Sequence, residues 1–445
     1  MTLSRLLVVA LALLTVPTGA HASLLADRLE ISMYGRMGLS WTHKGQFIQG
    51  RTMNLTGSTL GGRLEEGDYL EPTIKLHILE PSKDASAPYV DFVFTPAMFA
   101  KNGLLLGVFS NRFSETLRME IFQAYVEAGN ILVPGLKVWG GARFYRGADV
   151  HIADYFFFNN LSGQGGGVQF GPLDLAVIMQ TGDGPLYNFN TDADPTTREG
   201  RRQRTVFVAQ YAQKFEGGHS AHLLAELHAL PVARRILPGN TQVLPSDIGW
   251  VAGVKGHLDL GNGAFNDLSV RYGNGIANGG FGGGQTWDTF GAADLADGRY
   301  SGAMSLEVVD HFLYNIGDAF SLNAYGILHM AAGASDATSD KAMDFAVGAR
   351  GTVYVHDNIH LIGEATYQGL QFGEADMGTA VKLSIVPTFV PQGGRSVWAR
   401  PHFRLFYTLA LYNEAAVDIL QSPYLQAVGE TTMGHYFGTR VEWWF

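Results

Sequence analysis

The amino-acid sequence predicts an all-β protein, a transmembrane antiparallel β-barrel, and three observations support this prediction. Apolar and polar residues alternate strictly in segments spread along the whole chain. No later segment approaches the roughly 18 uninterrupted apolar residues that a membrane-spanning helix needs. The N-terminus is typical of an exported protein. In lipid every backbone polar group must be paired internally, and a closed barrel achieves this without a free edge.

Residues 1–22 are predicted to form a secretory signal peptide, which leaves 23–445 as a single barrel domain. One positive charge, Arg5, precedes an apolar run at residues 6–16, and the small residues Ala20 and Ala22 flank His21 in a pattern that resembles a cleavage site. The apolar run is too short to span a bilayer. Because the chain contains no cysteine, we expect no stabilising disulfide.

The composition excludes some classes of partner. The formal net charge is -10, and no basic cluster is longer than Arg201-Arg202, which argues against a nucleic-acid partner. The 56 glycines and the 12% aromatic content favour many short strands separated by turns over disorder, because aromatic residues are rare in unfolded chains. The glycine-rich and polar segments at 181–204 and 274–299 are expected to be extracellular loops.

The first strand is predicted within residues 28–42, where Leu29, Ile31 and other apolar residues share one parity, while Tyr34 and Arg36 take the other. The same alternation occurs at 402–411 and again up to Phe445. Further alternating or mostly apolar segments are 75–79, 268–272, 320–330 and 359–370. At roughly 10 residues per tilted strand, the chain has room for well over a dozen strands.

The segment 142–158 places charged residues among aromatic ones and is predicted to lie at or near a constriction. Its charged and imidazole side chains are Arg143, Arg146, Asp149, His151 and Asp154. A barrel of this size encloses a water channel or a plug, and a loop folded inward would narrow the channel. The flat apolar face of a sugar ring rests on aromatic side chains, while its hydroxyl groups bond to Arg, Asp and His. The segment therefore favours a sugar-selective passage.

Parity separates two groups of aromatic residues. Because the first and last strands must pair to close a barrel, Tyr34 and Trp444 are expected to be neighbours inside the channel. Parity also turns Phe265 and Trp398 inward, so all four are candidate sugar-binding residues. The aromatic residues on the apolar parity are expected to belong to the interfacial girdle: Trp41, Tyr407, Trp443 and Phe445.

Several of these segments resemble the maltoporin and sucrose-porin family. The stretch WGGARFYRGADVHIADYFFFNNLSG, at 139–163, resembles the maltoporin segment that runs into the constricting third loop. SVWARPHFRLF, MYGRMGLSW and the terminal EWWF resemble maltoporin segments in the same chain order. The resemblance implies a trimer of 18-stranded barrels that passes malto-oligosaccharides or related sugars passively. It also implies an aromatic slide flanked by polar tracks.

By position, the resemblance assigns slide roles to the same four aromatic residues that parity turns inward. One slide tyrosine falls on Glu71, and Tyr69 is expected to replace it. Polar-track positions match Arg36, Arg63, Asp149 and Asp154.

This chain also departs from the family pattern. The constriction tyrosine falls on Phe156, which keeps the ring and loses the hydroxyl group. Two track arginines fall on Phe122 and Gly147, with Arg146 one residue from the second. The tryptophan that a neighbouring subunit contributes has no clear counterpart near 99–113.

Two other functions remain open from the sequence. A general diffusion porin without a saccharide site would differ only in whether the inward aromatic residues form a continuous path. A barrel hydrolase could use Ser162 with His151, but Ser162 lacks a Gly-x-Ser-x-Gly context. We expect no metal and no cofactor, since the spacing of Asp149, His151 and Asp154 is a weak metal motif. The expected partners are an oligosaccharide and outer-membrane lipid.

Overall fold

The computed structural model describes residues 27–48, 50–100, 117–182, 186–187, 200–237, 240–279 and 285–445. Eighteen antiparallel strands form one closed sheet, which confirms the predicted all-β barrel and the strand number implied by the resemblance. The predicted signal peptide lies outside the described residues, as do residues 101–116 and parts of the predicted loops 181–204 and 274–299.

In chain order the barrel strands are β1 Leu29–Thr42, β2 Tyr69–His77, β3 Tyr89–Ala100, β4 Leu117–Gly129, β5 Leu136–Arg146, β6 Asn160–Phe170, β7 Leu173–Gln180, β8 Arg204–Lys214, β9 Ser220–Leu230, β10 Asp247–Gly261, β11 Ala264–Gly275, β12 Met304–Ile316, β13 Phe320–Ala332, β14 Lys341–His356, β15 Ile359–Phe372, β16 Gly378–Phe389, β17 His402–Tyr412 and β18 Met433–Trp444. Short strand pairs outside the barrel are Asp149–Val150 with Tyr155–Phe156, and Ala233–Leu237 with Asn240–Leu244. Two short helices, Glu414–Asp418 and Pro423–Val428, lie in the last long connection. Single 3-10 turns occur at Leu55–Gly57 and Glu216–Gly218.

The barrel closes where β1 pairs with both β2 and β18. In this register Tyr34 lies opposite Trp444 and Arg36 lies opposite Glu442. The expectation that Tyr34 and Trp444 are neighbours is thereby confirmed. Within the described residues, no helix combines the length and the apolar character needed to cross a membrane.

Strand parity divides the wall into an apolar outer face and a polar inner face, because successive side chains of a strand point to opposite sides. On β11 the outward Leu268 is 49% exposed, whereas its inward neighbours Ser269 and Arg271 are buried. The same contrast occurs on β17, where the outward Phe403 is 44% exposed and the inward Arg404 is buried. The outer face therefore presents the apolar side chains that lipid requires.

The two ends of the barrel differ in the length of their connections. One end carries tight two-residue turns, at 171–172 and 262–263, with Gly171 and Gly263 at positive φ, where glycine meets no steric penalty. The other end carries long connections such as 43–68 and 276–303. This asymmetry is typical of outer-membrane barrels, whose periplasmic turns are short and whose extracellular loops are longer.

Two long connections fold into the lumen. In the first connection, Leu55 is fully buried, and Glu65 forms an ion pair with Lys382 of β16, with 2.9 Å between Oε1 and Nζ. In the third, residues 147–159, the hydroxyl of Tyr155 donates to Glu307 of β12 at 2.5 Å. The predicted inward-folded constriction loop is therefore confirmed.

Candidate functional site

A cavity of about 640 Å³ lies between the third connection and the wall formed by β18, β1 and β2. It brings together all the predicted site residues except Phe265, and adds Glu71 and His151. Its lining residues are Tyr34, Arg36, Arg63, Tyr69, Glu71, Arg146, Asp149, His151, Asp154, Phe156, Trp398 and Trp444.

Three aromatic rings from neighbouring strands form a row along one side of this cavity. The ring centroids of Trp444 and Tyr34 are 6.5 Å apart, with the planes inclined by 26°. The centroids of Tyr34 and Tyr69 are 5.9 Å apart. Tyr69, the residue expected to replace the slide tyrosine that falls on Glu71, lies at this end of the row, and its hydroxyl donates to the carboxylate of Glu71.

Trp398 reaches the cavity from a turn. Strand β17 begins at His402, and Trp398 lies in the preceding 390–401 connection, so the parity argument does not apply to it. His151 joins it to the row, with centroids 5.3 Å from Trp398 and 5.5 Å from Trp444. Burial and the nearby Arg63 lower the pKa of His151 well below its usual value, so this ring is a neutral imidazole near pH 7. Sequence reasoning treated His151 as a polar group and missed its part in the row.

Phe265 lies apart from the row. It sits on the inward face of β11, with its ring 5.9 Å from that of His257 and 5.1 Å from that of His311. In the part of the chain that the structure describes, its ring contacts are with these two histidines. The structure therefore brings four of the five predicted slide residues together and leaves the fifth on another part of the wall.

Glu66 holds three arginines on one side of the cavity. Its carboxylate lies 3.0 Å from Arg36 Nη1, 2.9 Å from Arg63 Nε and 2.5 Å from Arg51 Nη2. Burial alone would raise the pKa of Glu66, but the three guanidinium groups lower it to about 2. Glu66 is therefore ionised at neutral pH, and it fixes the direction in which the track arginines point.

Glu442 fixes a second group of side chains behind the row. Its carboxylate accepts bonds from Arg404 Nη2 at 2.5 Å, from Arg400 Nη2 at 3.0 Å and from the hydroxyl of Tyr34 at 3.1 Å. The guanidinium carbon of Arg400 lies 3.6 Å from the ring centroid of Trp444. One face of the indole is thus covered by a cation, and its position in the cavity is fixed.

The part of the cavity next to the third connection combines acidic and basic side chains. Asp154, at a positive φ of 56°, pairs with Arg51 at 3.1 Å. Asp149 lies 3.9 Å from Nδ1 of His151, and burial together with the charge of Asp154 raises the pKa of Asp149. Because these carboxyl groups and the arginines line one cavity, a hydroxylated molecule there can donate hydrogen bonds to the former and accept them from the latter.

A second cavity, of about 570 Å³, lies on the long-loop side of the first. It shares Arg146, Asp154 and Phe156 with the first cavity and is also lined by Phe122 and Phe144. From the sequence, Phe122 was identified only as the position at which a track arginine of the family is missing. Its place in the lining of this cavity was not predicted. A proline inside β3, Pro96, was a signal that could have found it, because proline within a strand often marks a bulge.

Ser162, the candidate nucleophile of a hydrolase, also lines the second cavity. Over the described ranges, no hydrogen bond links its hydroxyl to a histidine. In the same part of the chain, no group of three or more His, Asp or Glu side chains is arranged to hold a metal ion.

Comparison with known proteins gives one family match and a set of similar structures. A family model described as LamB porin matches residues 29–445. Acinetobacter baumannii OccAB1 is 11% identical and has a TM-score of 0.47, with 94% of this chain and 96% of that chain covered. Pseudomonas aeruginosa OccK2 (OpdF) in complex with glucuronate is 10% identical, with 95% and 98% covered and a TM-score of 0.45. Salmonella typhi OmpF in complex with daunomycin is 10% identical, with 94% and 98% covered and a TM-score of 0.42.

Proposed function

This chain belongs to the LamB porin family and is an outer-membrane porin, and we propose from that premise that it is selective for sugars. It would give passive diffusion of maltodextrins or related oligosaccharides along the row of aromatic rings. The family and the barrel fold also favour a channel over an enzyme. The proposed exported form begins after a cleaved signal peptide at 1–22.

One observation carries this proposal. Trp398, His151, Trp444, Tyr34 and Tyr69 follow one another at centroid distances of 5.3–6.5 Å. These rings line the same cavity as three arginines and three carboxylates. A continuous row distinguishes a sugar-selective pore from a general diffusion porin, because a sugar can pass from one ring to the next without losing its apolar contact.

Passage needs no chemical step in this arrangement. The flat face of a pyranose would lie on the aromatic row, while its hydroxyl groups exchange partners among the guanidinium groups of Arg36 and Arg63 and the carboxyl groups of Asp149 and Asp154, which line the same cavity. Glu66 holds Arg36 and Arg63 in place, and Arg51 holds Asp154, so little reorganisation of these groups is required as the sugar moves. Binding at several weak sites in sequence favours release as well as entry.

We propose a homotrimer embedded in outer-membrane lipid as the working assembly. The support is the resemblance to maltoporins and the apolar outer face of the barrel, which includes Leu39 and Phe403. A mass measurement in detergent, by light scattering or native mass spectrometry, would give the number of chains in the assembly directly.

Conductance in planar lipid bilayers tests the proposed sugar selectivity. Malto-oligosaccharides added to one side should block the ion current saturably. Trp444→Ala should weaken that block about tenfold, since a stacked ring contact and its buried area are lost together. Trp443→Ala is the matched control, because Trp443 is adjacent in sequence and lies on the outward face of β18.

Two outcomes would contradict this function. A current that none of the tested glucans, sucrose or other oligosaccharides reduces would favour the general diffusion porin. Equal weakening of the block by Trp444→Ala and Trp443→Ala would show that the inward ring has no special role in sugar binding.

A further inference from the structure

We propose that Phe122 and Phe144 form an additional sugar-binding subsite on the long-loop side of the constriction. It would receive one more neutral sugar ring of a linear oligosaccharide whose other rings lie along Tyr69, Tyr34 and Trp444. The inference rests on the proposed function, because it adds a subsite to the same conduit.

The position of the second cavity places this subsite on the path of the sugar. The two cavities meet at Arg146, Asp154 and Phe156, which line both of them. The second cavity is also lined by residues 56–60 and by Gln285, which belong to long connections. A chain that extends through the constriction from the first cavity therefore enters the second.

The ring spacing continues the aromatic row without a gap. The ring centroid of Phe122 lies 6.5 Å from that of Tyr69 and 5.5 Å from that of Phe144. Neighbouring rings from Trp398 to Tyr69 are 5.3–6.5 Å apart. Both phenyl rings are half-buried and face the lumen. Phenyl rings that face an aqueous lumen at this spacing offer apolar surface to a passing ring.

A β-bulge turns Phe122 into the lumen. On β3 and β4, Thr95 pairs with Gln123 whereas the next residue, Pro96, pairs with Ile121, so Phe122 is the extra residue. An extra residue changes the parity of a strand locally and redirects a side chain. Both Gln123, which donates to Thr95 Oγ1 at 3.0 Å, and Phe122 therefore point inward.

Phe144 is positioned by the separation of two strands. Strand β5 pairs with β4 only as far as Ala142, but it pairs with β6 as far as Arg146. Beyond Ala142, the edge of β5 next to β4 is therefore no longer paired with β4, and Phe144 lines the second cavity there. The backbone N–H of Phe144 donates to Gln123 Oε1 at 3.1 Å, which holds the backbone at Phe144 next to the residue that follows Phe122.

Arg146 supplies hydrogen-bond donors beside the two rings. Its guanidinium carbon lies 3.6 Å from the ring centroid of Phe144 and 4.0 Å from that of Phe156. The guanidinium thus lies against two phenyl rings, and its N–H groups are available to the two cavities that it lines. Asp154, Asn160 and Ser162 line the same second cavity. A sugar ring on Phe144 would therefore meet both donors and acceptors for its hydroxyl groups.

Saccharide block of the bilayer current, measured with a maltodisaccharide and a maltohexasaccharide, tests the subsite in the full-length protein. Phe122→Leu, which keeps the apolar volume but not the flat ring, should weaken the block by the hexasaccharide about three- to tenfold. The disaccharide block should change less than about twofold, because a short sugar occupies the inner rings. Phe122→Tyr should keep the hexasaccharide block, and Phe403→Leu, on the outer face, is the matched control.

The outcomes separate the subsite from the proposed function. An unchanged hexasaccharide block in Phe122→Leu, or an equal loss for both sugars, would overturn the subsite while leaving the inner conduit in place. If no saccharide blocked the unmodified protein, the proposed function and the subsite would fall together. A loss confined to the longer sugar, with the ring-preserving variant unaffected, would support the subsite.

Discussion

Two walls of the lumen use the same strand geometry for different purposes. On the slide wall, formed by β18, β1 and β2, the inward rings Trp444, Tyr34 and Tyr69 border an open cavity. On the anchored wall, formed by β11–β16, inward side chains are buried under the first and third connections. Glu307 there pairs with Arg271 at 2.8 Å, and both are buried.

The difference shows what alternation does and does not determine. Parity decides whether a side chain faces lipid or the interior, and it does so equally on both walls. Whether an inward side chain meets water depends on the loops that fold over it. On the anchored wall these loops add their own partners, such as Tyr155 for Glu307 and Leu60 O for the hydroxyl of Tyr325. We therefore expect substitutions on the anchored wall to affect stability, and substitutions on the slide wall to affect sugar binding.

The largest effect on stability is expected for Glu307→Ala. This change leaves the buried guanidinium of Arg271 without its carboxylate and removes the acceptor of the Tyr155 hydroxyl. Breaking a buried ion pair from one side costs about 3–5 kcal/mol. Denaturant unfolding in detergent should show that loss, and the bilayer current should become larger because the constriction loop has lost an anchor.

A double variant sharpens this prediction. Arg271→Met with Glu307→Met removes both charges, so it should lose less stability than Glu307→Ala alone. On the other wall, Trp444→Ala should cost less stability than Glu307→Ala. If the Glu307→Ala protein were as stable as its parent, the buried pairs of the anchored wall would not stabilise the fold, and the proposed difference between the two walls would be wrong.

The next effect concerns Glu66 and depends on pH. Three guanidinium groups lower its pKa to about 2 from 4.5, a difference that corresponds to about 3 kcal/mol of stability. Because the folded-state pKa is the lower one, this stabilisation is present above pH 4.5 and is lost as the pH falls toward 2. Glu66→Gln should therefore be less stable near neutral pH, and its stability should depend less on pH between those values.

The control for that measurement is Glu80→Gln, since the Glu80 side chain is 84% exposed. Unfolding midpoints of the three proteins, measured near pH 7 and near pH 3, check the prediction. Equal pH dependence in Glu66→Gln and its parent would show that the three arginines do not hold this carboxylate ionised.

The sequence predicts the barrel and the neighbours at its closure because both follow from local alternation. Tyr34 and Trp444 can be paired from the sequence alone, since closing the sheet requires the first and last strands to meet. Tyr69 and Glu71 have the same parity, and only the three-dimensional arrangement shows that the ring of Tyr69 joins the row. Parity therefore determines the face of the sheet on which a side chain lies. Packing determines which of the inward side chains belongs to the aromatic row.

The rest of the site depends on features that interrupt alternation. Trp398 lies in a connection and Phe122 lies at a bulge, so neither position follows from counting along a regular strand. The arginine partners of Glu66 lie in the same first connection or on β1, and those of Glu442 lie on β17 or just before it. Only the folded loop and the pairing of β17 with β18 show which arginines each carboxylate binds. His151 joins the row only because the third connection folds inward.

A smaller effect, on affinity, is expected for Phe156→Tyr. This change places a hydroxyl group at the constriction, beside Arg146 and Asp154. One added hydrogen bond is worth about 0.5–1 kcal/mol, so the saccharide block should become about two- to fivefold tighter. Phe403→Tyr, on the outer face, should leave the block unchanged. Weaker block in Phe156→Tyr would indicate that the added hydroxyl obstructs the passage.

The smallest effect is expected for His151→Phe, which replaces one ring of the row by another. Burial and Arg63 keep the pKa of His151 far below the usual value for histidine. The imidazole is therefore neutral at any pH near or above the usual histidine pKa. The saccharide block should then stay within about twofold of the parent and show the same dependence on pH between about 5 and 8. His151→Ala should weaken the block more, since it separates Trp398 from Trp444. A different outcome is that the parent's saccharide block changes with pH and that His151→Phe abolishes this change. The imidazole would then act through its charge, and the slide wall, like the anchored wall, would depend on charged side chains.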